Sequence, residues 1–100
     1  MTQIRDIVTK VRSKNAGPFW VTIDIFCGSN KAFSQISESI STARVAALFQ
    51  CNADTIKRFD IATLNVVKFS FPRPQIQGAI ADRDMHGAAW APLLAELDLN

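Results

Sequence analysis

A chain of 100 residues and 11.0 kDa has room for one domain built round one core. With 48% hydrophobic and 20% charged residues it is not intrinsically disordered, and no apolar run approaches the roughly 20 residues of a membrane-spanning helix. The net charge of +2 is too small to make nucleic acid the default partner, and the start, Met-Thr-Gln-Ile-Arg-Asp, has no apolar h-region, so a cytoplasmic location is expected.

Ile4, Ile7, Val8 and Val11 fit helical spacing, yet 7–13 is β-branched and also reads as a strand. The expectation is a short helical turn running into a strand. Lys14 to Pro18 forms a tight connection, since Asn and Gly accept positive φ and Pro donates nothing to a ladder. From Phe19 to Cys27 the apolar residues Phe19, Val21, Ile23, Ile25 and Cys27 alternate with Trp20, Thr22, Asp24 and Phe26, the period of a strand, which pairs with the preceding segment as a hairpin. Gly28-Ser29-Asn30 ends it, and Ser29 or Asn30 caps a helix that carries Phe33, Ile36 and Ile40 on one face. Ser41 or Thr42 caps a second helix with Val45, Ala46, Leu48 and Phe49 inward. Asn52-Ala53-Asp54 breaks the pattern, and strands follow over about 56–61 and 64–71. Pro72 and Pro74 stop the ladder.

This order predicts an α+β fold in which two helices cover one face of an antiparallel sheet. Residues 1–71 make the core, and residues 72–100 an extended tail of the same domain. The tail holds two of the four glycines and three of the four prolines. A segment that long without periodicity points to binding.

Cys27 and Cys51 lie 24 residues apart with no Cys-x-x-Cys and read as ordinary reduced thiols. With His86 as the one histidine, no metal-ligand spacing exists, and neither metal nor cofactor is expected. Residues 1–73 hold ten Lys/Arg against five Asp/Glu, a balance of +5, and residues 74–100 one against four, a balance of −3.

The chemistry-bearing residues fall in three groups. Arg12, Ser13, Lys14 and Asn15 place two cations, a hydroxyl and an amide before the Gly17-Pro18 turn. There the N–H groups of Asn15, Ala16 and Gly17 can form an anion-binding concavity, with Arg12 as a bidentate grip and Lys14 as a point charge. Asp24, alone in an apolar strand, either faces solvent or is buried against Arg12 or Lys14. Lys68 in mid-strand and Arg73 between two prolines are further candidates for holding the same anion. In the tail, Asp84 and His86, with Asp82 near them, are candidate acid–base groups, and Trp90, Pro92 and Leu93 form an apolar anchor suited to docking on a partner. Aromatic and Lys/Arg residues are not expected to interleave on a face, which argues against a nucleic-acid surface.

The run Arg12-Ser13-Lys14-Asn15-Ala16-Gly17-Pro18-Phe19, followed by Thr22-Ile23-Asp24-Ile25, resembles a small bacterial family of unknown function encoded beside AtuA-type (acyclic terpene utilisation) proteins. Lys68-x-x-x-Pro72-Arg73-Pro74, Asp82-x-Asp84-x-x-Gly87-Ala88 and Ala91-Pro92-Leu93-Leu94 extend the resemblance over nearly the whole chain. His86 stands where that family's tail carries a tyrosine. The resemblance implies a ferredoxin-like small domain and a large AtuA-like protein subunit as partner. It also implies a role in catabolism of carboxylates or acyl-CoA compounds. The expected function is therefore a small subunit of a hetero-oligomeric enzyme with lyase, hydratase or isomerase chemistry. In it Arg12, Ser13, Asn15, Gly17, Lys68 and Arg73 bind the anion, and Lys14, Asp84 and His86 serve the reaction. The alternative is a non-catalytic module that stabilises or regulates the large partner.

Overall fold

The computed structural model describes residues 2–16, 19–49, 51–72 and 94–97. Arg73, Asp84, His86, Trp90, Pro92, Leu93 and Gly17 lie outside them. Within them the order is α1 (Ile4–Ile7), β1 (Lys10–Asn15), β2 (Trp20–Phe26), α2 (Asn30–Ser39), α3 (Thr42–Phe49), a single 3-10 turn (Ala53–Thr55), β3 (Lys57–Ile61) and β4 (Val66–Pro72). The four strands form one sheet in the order β1-β2-β4-β3, and every neighbouring pair is antiparallel. Two hairpins, β1–β2 and β3–β4, are thus joined by a single helical connection, and the α+β class expected from the sequence is the one observed.

Local chemistry sets most boundaries. The Ser29 hydroxyl accepts from the Ala32 N–H at 3.1 Å and starts α2. Ser41 does the same for α3, accepting from the Arg44 N–H at 3.2 Å. Asn52 caps the 3-10 turn through the Asp54 N–H at 3.0 Å. Gly28, at φ +84, turns the chain out of β2, and a Cβ there would run into the Thr9 hydroxyl. Pro72 ends β4 inside the ladder, opposite Trp20. It is tolerated because β3 begins at Lys57, opposite Ser70, so no strand faces the position where its missing N–H would point.

The core lies between the sheet and the helices. Val21, Ile23 and Ile25 of β2 stand beside Phe71, Phe69 and Val67 of β4, and all six are fully buried against Ile36, Ile40 and Val45. Phe49 of α3 stacks on Phe71 with ring centroids 5.3 Å apart. Leu94, from the segment expected as tail, is fully buried in the same cluster, and the Ile4 N–H donates to the Leu97 carbonyl at 3.0 Å. The C-terminal stretch 94–97 is therefore built into the core beside α1. Phe19, expected to open the buried face of β2, precedes the strand and is 56% exposed.

Candidate functional site

The register fixes what shares the face of the sheet turned away from the helices. Arg12 stands opposite Asp24, Asp24 opposite Lys68, and Lys68 opposite Phe59. One row over run Lys14, Thr22, Ser70 and Lys57, and on the other side Lys10, Phe26, Val66 and Ile61. Val66 is buried yet lies outside the main core cluster, as this outward position requires. Among the described residues the outer face thus gathers Lys10, Arg12, Lys14, Lys57 and Lys68 around one carboxylate, Asp24. Lys57 lies over the Trp20 ring, its Nζ 5.4 Å from the centroid, a cation–π contact that holds both side chains across the sheet.

The centre of this face is polar and incompletely bonded. Thr22 is only 6% exposed. Its Oγ1 and the Oδ1 of Asp24 are both shielded from solvent and find no hydrogen-bond partner among the described residues. Of the two readings open for Asp24, solvated or buried against a cation, neither describes it. It is half-buried, and among the described residues no ion pair is seen between it and Arg12 or Lys68.

Three of the residues expected to bind or act on an anion, Arg12, Lys14 and Lys68, are brought to this face. Ser13 and Asn15 are not. They alternate with the cations along β1, and their register partners are Ile23 and Val21 on the helix-covered side; Ser13 is buried there at 7% exposure. The strand continues through Lys14 and Asn15, with the Ala16 N–H donating to the Trp20 carbonyl at 2.9 Å. Ser13 and Asn15 thus stand in strand geometry, and of the three N–H groups expected to line an anion-binding concavity that of Ala16 is taken by the Trp20 carbonyl, while Gly17 lies outside the described residues. The expectation that aromatics and cations do not interleave on a face is corrected here: Trp20, Phe26 and Phe59 fall among the five cations, because the strand register lays residues distant in sequence side by side.

Sequence reasoning did not single out Thr22, Lys10 and Lys57. Alternation within β2 put Thr22 beside Asp24, but the placing of Lys57 and Lys10 needed the strand order. Arg58 was also missed. It faces the helices, where its guanidinium donates to the Ser37 and Ile40 carbonyls at 2.9 and 2.6 Å and to Asp60 at 2.9 Å. It also lies over the Phe69 ring at 5.4 Å. It satisfies the C-terminal carbonyls of α2, a structural role that an isolated Lys-Arg dipeptide does not advertise.

The thiols are free. Burial, with a smaller push from the Asp60 carboxylate, raises the Cys27 thiol from 9.0 to about 11, and burial also raises Cys51; neither has the depressed pKa of a nucleophile. Among the described residues no three His, Cys, Asp or Glu side chains gather as metal ligands, and no helix is long and apolar enough to cross a membrane.

A two-hairpin α+β domain with a cationic outer sheet face is the class of protein these features define. The chain belongs to the family described as Domain of unknown function (DUF4387), which matches residues 4–97. No curated protein and no solved structure matches it.

Proposed function

We propose that this chain is the small subunit of a hetero-oligomeric enzyme and that its outer sheet face forms one wall of a site for an anionic substrate. The observation that carries the reading is the pair of shielded atoms, Thr22 Oγ1 and Asp24 Oδ1, without hydrogen-bond partners among the described residues and set among Arg12, Lys14 and Lys68. Buried polar atoms are nearly always bonded, so an orphaned pair ringed by cations fits a ligand that completes it. The hydroxyl can donate and the carboxylate oxygen can accept. The matching ligand carries an anionic group, a carboxylate or the phosphate of an acyl-CoA, beside a hydrogen-bond donor. Arg12 grips the anion, Lys14 lies one row away to stabilise charge that develops during reaction, and Lys68 closes the far side.

A sheet face by itself supplies one wall, and an enzyme site needs a concave pocket. The resemblance supplies the complementary piece, a large AtuA-like chain, which would bind the rest of the substrate and supply the acid–base groups this face lacks. Lyase, hydratase or isomerase chemistry next to a carboxyl group is the reaction class that such an anion clamp serves.

The test is to co-express the chain with an AtuA-type protein from the same source, measure the mass of the purified species by light scattering, and assay carboxylates and acyl-CoA compounds. A mixed complex is expected, in which Arg12→Ala raises KM by about 10- to 100-fold, the loss of a charge-assisted hydrogen bond. Failure to form a mixed complex sinks the subunit reading. A complex whose turnover ignores Arg12→Ala and Thr22→Val makes the chain a stabilising module instead.

A further inference from the structure

The two edges of the sheet are defended differently, and the difference concerns a surface apart from the anion site. Among the described residues β1 and β3 are the edge strands. An unpaired edge invites another strand, and proteins usually guard it with like charge. β1 is guarded in this way. Laid antiparallel against a second copy about Arg12, it would set Arg12 on Arg12 and Lys10 on Lys14.

β3 is the opposite case. Its backbone orientation follows from one bond: the Cys27 N–H donates to the Asn65 carbonyl at 2.8 Å, in line with the β2–β4 register. Odd residues of β4 therefore bond to β2 and even ones to β3. Through the β3–β4 register, Lys57, Phe59 and Ile61 bond inward, and Arg58 and Asp60 present their N–H and C=O groups outward. A second β3 laid antiparallel about a two-fold axis through Phe59 meets those groups in register. Arg58 then exchanges both backbone bonds with Asp60 of the other copy, their opposite charges side by side, and Lys57 falls opposite Ile61. The two Phe59 side chains face each other across a non-bonded pair, where Cα atoms come to about 4.5 Å. Registers centred on Arg58 or Asp60 oppose like charges, so the sequence selects the one through Phe59. Phe59 is 49% exposed in the single chain, the position expected of a residue that such a contact covers.

We infer that this protein forms a two-fold homodimer by antiparallel pairing of β3 with β3 of a second copy, making one continuous sheet from the two four-stranded ones, with Phe59 on the axis. The strand contributes a small fraction of the roughly 20–30 residues a side of a standard interface. The association is therefore concentration-dependent, and the two cationic outer faces it joins lie side by side.

The test uses the full chain in light scattering and sedimentation. The weight-average mass should climb from 11.0 kDa towards twice that value as protein is raised towards about 1 mM, where even a millimolar association is expressed. Phe59→Lys, which opposes two cations on the axis, should hold the mass at the monomer value with an unchanged circular dichroism spectrum. As a second variant, Phe59→Cys in a Cys51→Ser background should form a disulfide-linked dimer when oxidised glutathione is the electron acceptor, because the expected Cα spacing lies within disulfide range. Leu64→Cys, in the β3–β4 turn and 68% exposed, should cross-link far more slowly. A mass that stays at one chain throughout, or a dimer that survives Phe59→Lys, overturns the proposal. The proposed anion-site residues lie on β1, β2 and β4, and the mass of the free chain does not read them, so failure here leaves that reading to its own test.

Discussion

Thr22 shows how a single hydroxyl can cost stability and serve binding. Shielded and without a hydrogen-bond partner among the described residues, its Oγ1 has given up water and gained no bond from them. Thr22→Val keeps the shape and the β preference of the side chain and removes the orphan. We expect it to stabilise the protein by about 1 kcal/mol, read as a higher urea midpoint at unchanged slope, while weakening ligand binding. A destabilised variant would mean that the hydroxyl is bonded in solution. Cys27 makes a second prediction at this scale. Unfolded, its thiol ionises near 9.0; folded, it keeps its proton to about 11. Well below pH 9.0 both states are protonated and the contribution is constant. Between 9.0 and about 11 the unfolded chain releases a proton that the folded chain holds, so this stabilisation falls as pH rises and is lost by the time the folded thiol ionises. Denaturant midpoints across that window should therefore fall more steeply for the natural chain than for Cys27→Ala. Parallel curves would show that the buried thiol is not perturbed.

The turn out of β2 tests whether one element is joined to the next as described. Gly28 combines a positive φ with a close approach to the Thr9 hydroxyl. Gly28→Ala should cost more than about 1 kcal/mol, and adding Thr9→Ala should recover the steric share while the backbone share remains. A double-mutant cycle with zero coupling would place Thr9 elsewhere. This junction was legible in outline: Gly28 and Ser29 announced a strand end and a helix cap, because those residue types satisfy backbone demands locally. β2 was legible from its period-2 alternation for the same reason. What alternation could not supply was strand order. Lys57 and Lys68 lie far along the chain from Thr22, and nothing in the β2 sequence says which strand will flank it. Ser13 illustrates the same limit from the other side. The run 12–15 read as one cluster, but strand pleating sends Arg12 and Lys14 to one face and Ser13 and Asn15 to the other. Arg58 was illegible because its partners, the Ser37 and Ile40 carbonyls, belong to a helix end that only the folded chain brings near.

At the scale of the whole molecule, the asymmetry of charge matters more than its sum. A net charge of +2 predicts weak steering, whereas a row of cations on one sheet face predicts a directed field. The two can be separated by substitutions that change net charge equally. Lys14 lies exposed on the outer face, and Lys31 lies exposed on α2, on the helical side of the sheet. If the outer face receives an anionic ligand or partner, Lys14→Glu should slow association by about tenfold at low salt, and Lys31→Glu should leave it nearly unchanged. Raising ionic strength should shrink the difference, since the Debye length falls from about 10 Å at 0.1 M to about 3 Å at 1 M. Stopped-flow association rates against salt read both effects. Equal slowing by the two variants would show that only net charge acts, and the outer face would lose its claim to be the binding surface.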